Sequence, residues 1–106
     1  MKEIRFLGSS LEDLRSFPTS VRSRAGHELY LIQAGDEPGD FKTMPSIGPG
    51  ACEIRIHDQA GAFRVVYVAK FVSYIYVLHV FQKKSQRTSQ QALRIAQDRY
   101  RSIEGR

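Results

Sequence analysis

From Ala51 to Lys84 the chain reads ACEIRIHDQAGAFRVVYVAKFVSYIYVLHVFQKK, in which apolar residues recur at a spacing of two. Alternation of that period sends successive side chains to opposite faces of a strand. Three strands are predicted. The first runs from Ala51 to His57, with Ile54 and Ile56 on one face and Glu53, Arg55 and His57 on the other. Asp58-Gln59-Ala60-Gly61 signals a hairpin turn, and Phe63 to Ala69 forms the second strand. Lys70 to Ser73 is a further turn. The third strand, Ser73 to Phe81, is apolar enough for both its faces to be covered, which predicts a central place in the sheet.

Upstream the period changes. Lys2 to Leu7 alternates Ile4 and Phe6 against Glu3 and Arg5 and reads as a short strand ended by Gly8. Ser10 is the expected cap of a short helix, LEDLRSF, with the stripe Leu11, Leu14 and Phe17 and a stop before Pro18. A longer helix is predicted from Thr19 or Ser20 to about Ala34, closed by Gly35. Its Val21, Ala25, Leu29 and Ile32 fall on one helical face, and the proline turn makes the pair a helical hairpin. The stretch GDEPGDFKTMPSIGPG, residues 35–50, holds four of the eight glycines and three of the four prolines. It is expected to be a loop without regular structure, either a flap beside a site or a connection pinned by Phe41, Met44 and Ile47.

A last helix is predicted from Ser89, its cap, to Ile103. Leu93, Ala96, Tyr100 and Ile103 form its apolar stripe, with Arg94, Arg99 and Arg101 outside it. The expected order is β-α-α-β-β-β-α in one α+β domain spanning residues 1–106. The sheet is expected to be small and mostly antiparallel.

Composition narrows the function classes. The 106 residues are 42% hydrophobic and 25% charged, ordinary for a folded domain. No run approaches the roughly 18 apolar residues of a membrane helix. Glu3 and Arg5 interrupt the place where a secretory signal keeps its apolar segment, so a cytoplasmic location is expected. The single Cys52 excludes an intrachain disulfide and reads as a small strand residue rather than a nucleophile. His27, His57 and His79 are too scattered to suggest a metal cluster, so neither metal nor cofactor is expected. The net charge is +5, with eleven arginines and five lysines. Such a balance suits an anionic partner, and arginine is the better residue for bidentate contact with phosphate.

The strand motif CEIRI, the strand FRVVYVAKF and the run VLHVFQKKSQRTSQQALRIAQDRY, in that order, resemble the RelE superfamily of bacterial toxins. The closer likeness is to its phage-derived HigB-like branch. The resemblance covers nearly the whole chain and implies a RelE-like fold. It also implies a type II toxin, a ribosome-dependent, metal-independent endoribonuclease that cleaves mRNA and halts translation. Its implied partners are mRNA on the ribosome and a cognate helix-turn-helix, HigA-like antitoxin, with no membrane. A non-catalytic basic module that binds RNA or protein on the same fold is the alternative.

RNA cleavage of this kind uses the ribose 2′-hydroxyl as nucleophile. It needs a proton acceptor, cations for the charge growing on phosphorus and a donor for the leaving oxygen. The resemblance puts a phosphate-stabilising arginine at Arg64 in FRVVY and a second basic position at Arg55. It puts a cation at the end of the third strand, where either Lys83 or Lys84 fits. Glu53 is a candidate general base or a salt-bridge partner of Arg55 or Arg64. His79 and His57 are candidate proton shuttles, and Lys42, His57 and Arg87 are candidate RNA contacts. RelE carries a tyrosine shortly after this basic strand end. Ser85 to Gln91 has no aromatic residue, and Tyr100 lies on the apolar stripe of the last helix.

Overall fold

The computed structural model describes residues 1–104. Its elements are β1 (Glu3–Phe6), α1 (Ser10–Arg15), α2 (Thr19–Gln33), β2 (Phe41–Thr43), β3 (Ala51–Asp58), β4 (Gly61–Val68), β5 (Tyr74–Lys83) and α3 (Gln90–Glu104). The strands form one sheet in the order β1-β5-β4-β3-β2. Only β1 and β5 run parallel; the other pairs are antiparallel. The architecture is the expected α+β one, consistent with a RelE-like fold, with one strand more.

That strand is β2. The glycine- and proline-rich stretch was expected to lack regular structure, yet Phe41, Lys42 and Thr43 pair with Ile54, Glu53 and Cys52. Three residues have too little pattern to announce a strand. They become one because β3 offers an open edge of unpaired backbone groups. The loop is tied down on both sides of β2. The Gly39 N–H donates to Glu28 Oε2 at 2.8 Å, from a glutamate buried on α2. Met44 and Ile47 are buried beyond it.

The helix ends explain themselves locally. Gly8 adopts φ +55°, turning the chain from β1 into α1. The cap position of α1 is Ser9 rather than Ser10: the Ser9 carbonyl accepts the Asp13 N–H at 2.8 Å, and its hydroxyl, which makes no cap bond, donates to Asp13 Oδ2. Ser10 is buried inside the first turn, its hydroxyl on the Val77 carbonyl. Helix α2 starts from Pro18, whose carbonyl accepts from Val21 and Arg22, and closes at Gly35 with φ +89°. Ser89 caps α3 as expected, accepting from the Ala92 N–H at 3.0 Å.

Two apolar layers hold the sheet. Leu14 of α1 and Val21, Ala25, Leu29 and Ile32 of α2 pack on Ile54, Ile56, Phe63, Val65, Tyr67, Ile75, Val77 and Val80. On the other face Ala96, Tyr100 and Ile103 of α3, with Met44 and Ile47, pack on Val66, Val68, Tyr76 and Leu78. Both β4 and β5 therefore read as nearly continuous apolar runs. β5 has neighbours on both sides, but the middle of the five is β4.

Arg99 departs from its expected place outside the helix stripe. Its guanidinium donates to the Leu78 carbonyl at 2.8 Å and to Ser9 Oγ at 3.2 Å. It lies on Gly8, where a Cβ would come within 2.5 Å of it. The contact joins α3 to the β1–α1 turn, a pairing of positions some 90 residues apart that helical periodicity does not register. Arg94 and Arg101 stay exposed.

Candidate functional site

Helix α3 covers only part of its sheet face. Side chains directly opposite each other in a ladder share a face. Lys42 lies opposite Glu53, Arg55 opposite Arg64, and Arg64 opposite Phe81, with Lys83 two residues further along β5. Four adjacent strands thus place Lys42, Arg55, Arg64 and Lys83 on this face, with Glu53, His57 and Phe81 among them; Arg64 and Glu53 are buried there, and the others reach solvent. The expected polar face of β3 is present, and the register extends it across the sheet.

The two arginines are held differently. Arg64 is 5% exposed and Glu53 is fully buried; Nε stands 3.3 Å from Glu53 Oε1. Those two atoms form a charge contact rather than an aligned hydrogen bond. Arg64 Nη1 donates to the Phe63 carbonyl at 3.0 Å, and Thr88 Oγ1 donates to Glu53 Oε2 at 3.1 Å. The segment before α3 thus closes over the carboxylate. Arg55 is half-exposed and donates through Nε to Asp40 Oδ1 at 2.9 Å, with Nη2 at 2.8 Å from the same oxygen. His57, its side chain 71% exposed, has Nε2 3.9 Å from Asp40 Oδ2.

Lys83 carries the electrostatic mark of the cluster. Its ammonium is held below the ordinary lysine range, first by partial desolvation and then by Arg64, with Lys42 and Arg55 adding to the effect against Glu53. Like charges gathered this way are relieved by an anion. Lys83, Lys84 and Arg87 also line a recess of about 260 Å³ with Phe81, Gln82, Ser85 and Ser89. The strand-end lysines and Arg87 are therefore brought together.

His79 is placed apart from the cations. It is buried, stacked on Phe81 with ring centroids 5.0 Å apart, and its Nδ1 has no partner. Burial, reinforced by Arg99, lowers its pKa to about 4, so the ring is neutral at neutral pH. Cys52 is no activated thiol, since desolvation raises its pKa. Among the described residues no three His, Cys, Asp or Glu side chains converge as a metal site. No described helix is long and apolar enough to cross a membrane.

A family model, Phage derived protein Gp49-like (DUF891), matches residues 12–101. The chain belongs to this family. The Gp49-like family is associated with RelE-like toxins, which agrees with the fold and with a toxin of that type. Among curated proteins none matches the chain.

Two members of this candidate site in the Gp49-like chain escape a reading of the sequence. Asp40 sits in the glycine-rich loop, and nothing in its spacing ties it to Arg55. Its signal is the strand next to it: once Phe41 pairs with Ile54, Asp40 falls beside Arg55, and the Asp40 carbonyl accepts the Arg55 N–H at 2.8 Å. Thr88 lies in the polar lead-in to α3 and meets Glu53 only through the fold. Tyr100 is core, as its stripe position implies: its hydroxyl donates to the Pro49 carbonyl at 2.6 Å and accepts from Lys70 at 2.9 Å.

Proposed function

We propose that this Gp49-like chain is the toxin of a type II module, a ribosome-dependent, metal-independent endoribonuclease acting on mRNA. The observation that carries the reading is the convergence of Lys42, Arg55, Arg64 and Lys83 from four adjacent strands, against the two carboxylates Glu53 and Asp40. A surplus of positive charge on an open face suits a phosphodiester and offsets the charge that grows on phosphorus as the 2′-hydroxyl attacks. Arg64, locked by Glu53 and the Phe63 carbonyl, is a fixed charge beneath the phosphate. Lys42, Arg55 and Lys83 reach it from above.

The proton of the 2′-hydroxyl goes to His57, whose exposed imidazole shares the face and stands 3.9 Å from Asp40 Oδ2. Lys83, its ammonium made more acidic by desolvation and then by Arg64, donates to the leaving 5′-oxygen. Glu53 holds Arg64 rather than acting as base. Lys84 and Arg87 bind the flanking backbone. The cell neutralises the toxin with a HigA-like helix-turn-helix antitoxin.

One observation favours a second reading, a basic module that binds RNA without cleaving it: both arginines already hold a carboxylate partner. Primer extension on translated mRNA separates the two. Cleavage that is lost in His57→Ala and Lys83→Ala supports the nuclease. Intact transcripts together with ribosome binding by the wild-type protein select the module.

A further inference from the structure

The cations of the proposed site suit a backbone, and telling one base from another needs uncharged groups beside them. Beside it lies a second recess of about 310 Å³, lined by His79, Phe81, Gln82, Ser89, Gln91, Ala92 and Ile95. It shares Phe81, Gln82 and Ser89 with the recess of Lys83, Lys84 and Arg87. One recess is cationic. The other has no charged residue in its lining and carries an aromatic wall, a hydroxyl and two amides. The pair matches the two halves of a nucleotide, a phosphate next to an uncharged flat ring.

We propose that the recess between the end of β5 and the start of α3 takes one nucleobase of the bound RNA. The base lies against Phe81, and its edge is read by His79, Ser89 and Gln91. The inference rests on the reading above and adds the specificity site to it. Phe81 is half-buried and stacks beside the imidazole of His79, the planes 26° apart, and both rings line the recess. His79 is 8% exposed, and its Nδ1 is sealed without a partner. A sealed N–H is the rarer and costlier orphan, which assigns Nδ1 as the bare acceptor and puts the proton on Nε2. His79 lines the recess, so Nε2 is the neutral donor it can offer there. Its low pKa keeps it in that form at neutral pH. Such a donor selects a base that presents an acceptor, a ring nitrogen or a carbonyl oxygen, at that edge.

The test is a titration of the intact protein with the four nucleosides, which carry no phosphate, and separately with ribose 5-phosphate, which carries no base. His79 and Phe81 ring signals are followed by NMR. Nucleosides are expected to shift both rings, with one or two bases preferred. Phe81→Leu is expected to weaken that binding about fivefold or more. His79→Phe, which keeps a ring in the stack, is expected to flatten the preference among bases. If ribose 5-phosphate perturbs Lys83 while no nucleoside moves His79 or Phe81, the base recess is overturned and the phosphate face stands. If nucleosides bind and ribose 5-phosphate does not, the recess stands and the phosphate face is overturned.

Discussion

Arg55 and Arg64 stand directly opposite each other across the β3–β4 ladder. Like charges so placed repel, and the pair is tolerated because each guanidinium has its own carboxylate. The two carboxylates differ in depth. Glu53 is fully buried against Arg64, while Asp40 is 42% exposed beside Arg55. Removing the buried partner strands a desolvated charge, and removing the exposed one does not. Glu53→Gln is expected to lower stability by about 3–5 kcal/mol, and Arg64→Met added to it should restore much of the loss. Asp40→Asn should cost less than about 1 kcal/mol. Urea denaturation of the three variants is the measurement.

The salt dependence of RNA binding reads the cation face one charge at a time. Lys42→Ala and Lys83→Ala are each expected to reduce the slope of log K against log salt by about 0.7 for a single strand. Both side chains lie at the surface of the cluster, so stability should change by no more than about 0.5 kcal/mol. An unchanged slope in either variant would remove that lysine from the contact.

Stability should fall in mild acid. His79 titrates near 6.5 when unfolded and near 4 in the folded protein, because burial and Arg99 disfavour its charged form. Between those values the unfolded chain binds the extra proton, so stability rises with pH through the window and is lost as pH falls from about 6.5 to about 4. His79→Phe should remove that part of the slope. Unfolding midpoints at pH 4.5, 5.5 and 7 for both proteins decide it, and parallel curves would refute the assignment.

Gly48 is sterically closed. A Cβ there would come within 2.5 Å of the Tyr100 ring. Gly48→Ala is expected to cost about 1–3 kcal/mol by pushing that ring off the Pro49 carbonyl. Tyr100→Phe, which loses only the hydroxyl, should cost about 0.5–1.5 kcal/mol. Thermal unfolding of the two variants gives the ranking, and equal losses would mean that the hydroxyl, not the packing, holds the loop.

The β3 alternation of Ile54 and Ile56 against Glu53, Arg55 and His57 is plain in the sequence, and with the FRVVY and QKK strands it locates the polar face. The α2 stripe Val21, Ala25, Leu29 and Ile32 is equally plain, and all four residues are buried. Periodicity reports which face a residue takes within its own element. It does not report what a distant segment brings to that face. Asp40, Thr88 and the Ser9–Arg99 contact come from such segments, and β2 exists only because β3 offers an edge. The depth of Glu53 was hidden for the same reason, since Thr88 closes over it from 35 positions away.

The bond from Gly39 to Glu28 reaches further than the loop it holds. Asp40 follows Gly39 at once and precedes the paired Phe41, so its carboxylate hangs on a span moored at both ends. One mooring is a helix on the back of the sheet, behind the face where Arg55 lies. Glu28, on the far side of the sheet, therefore shares in placing Asp40 against Arg55.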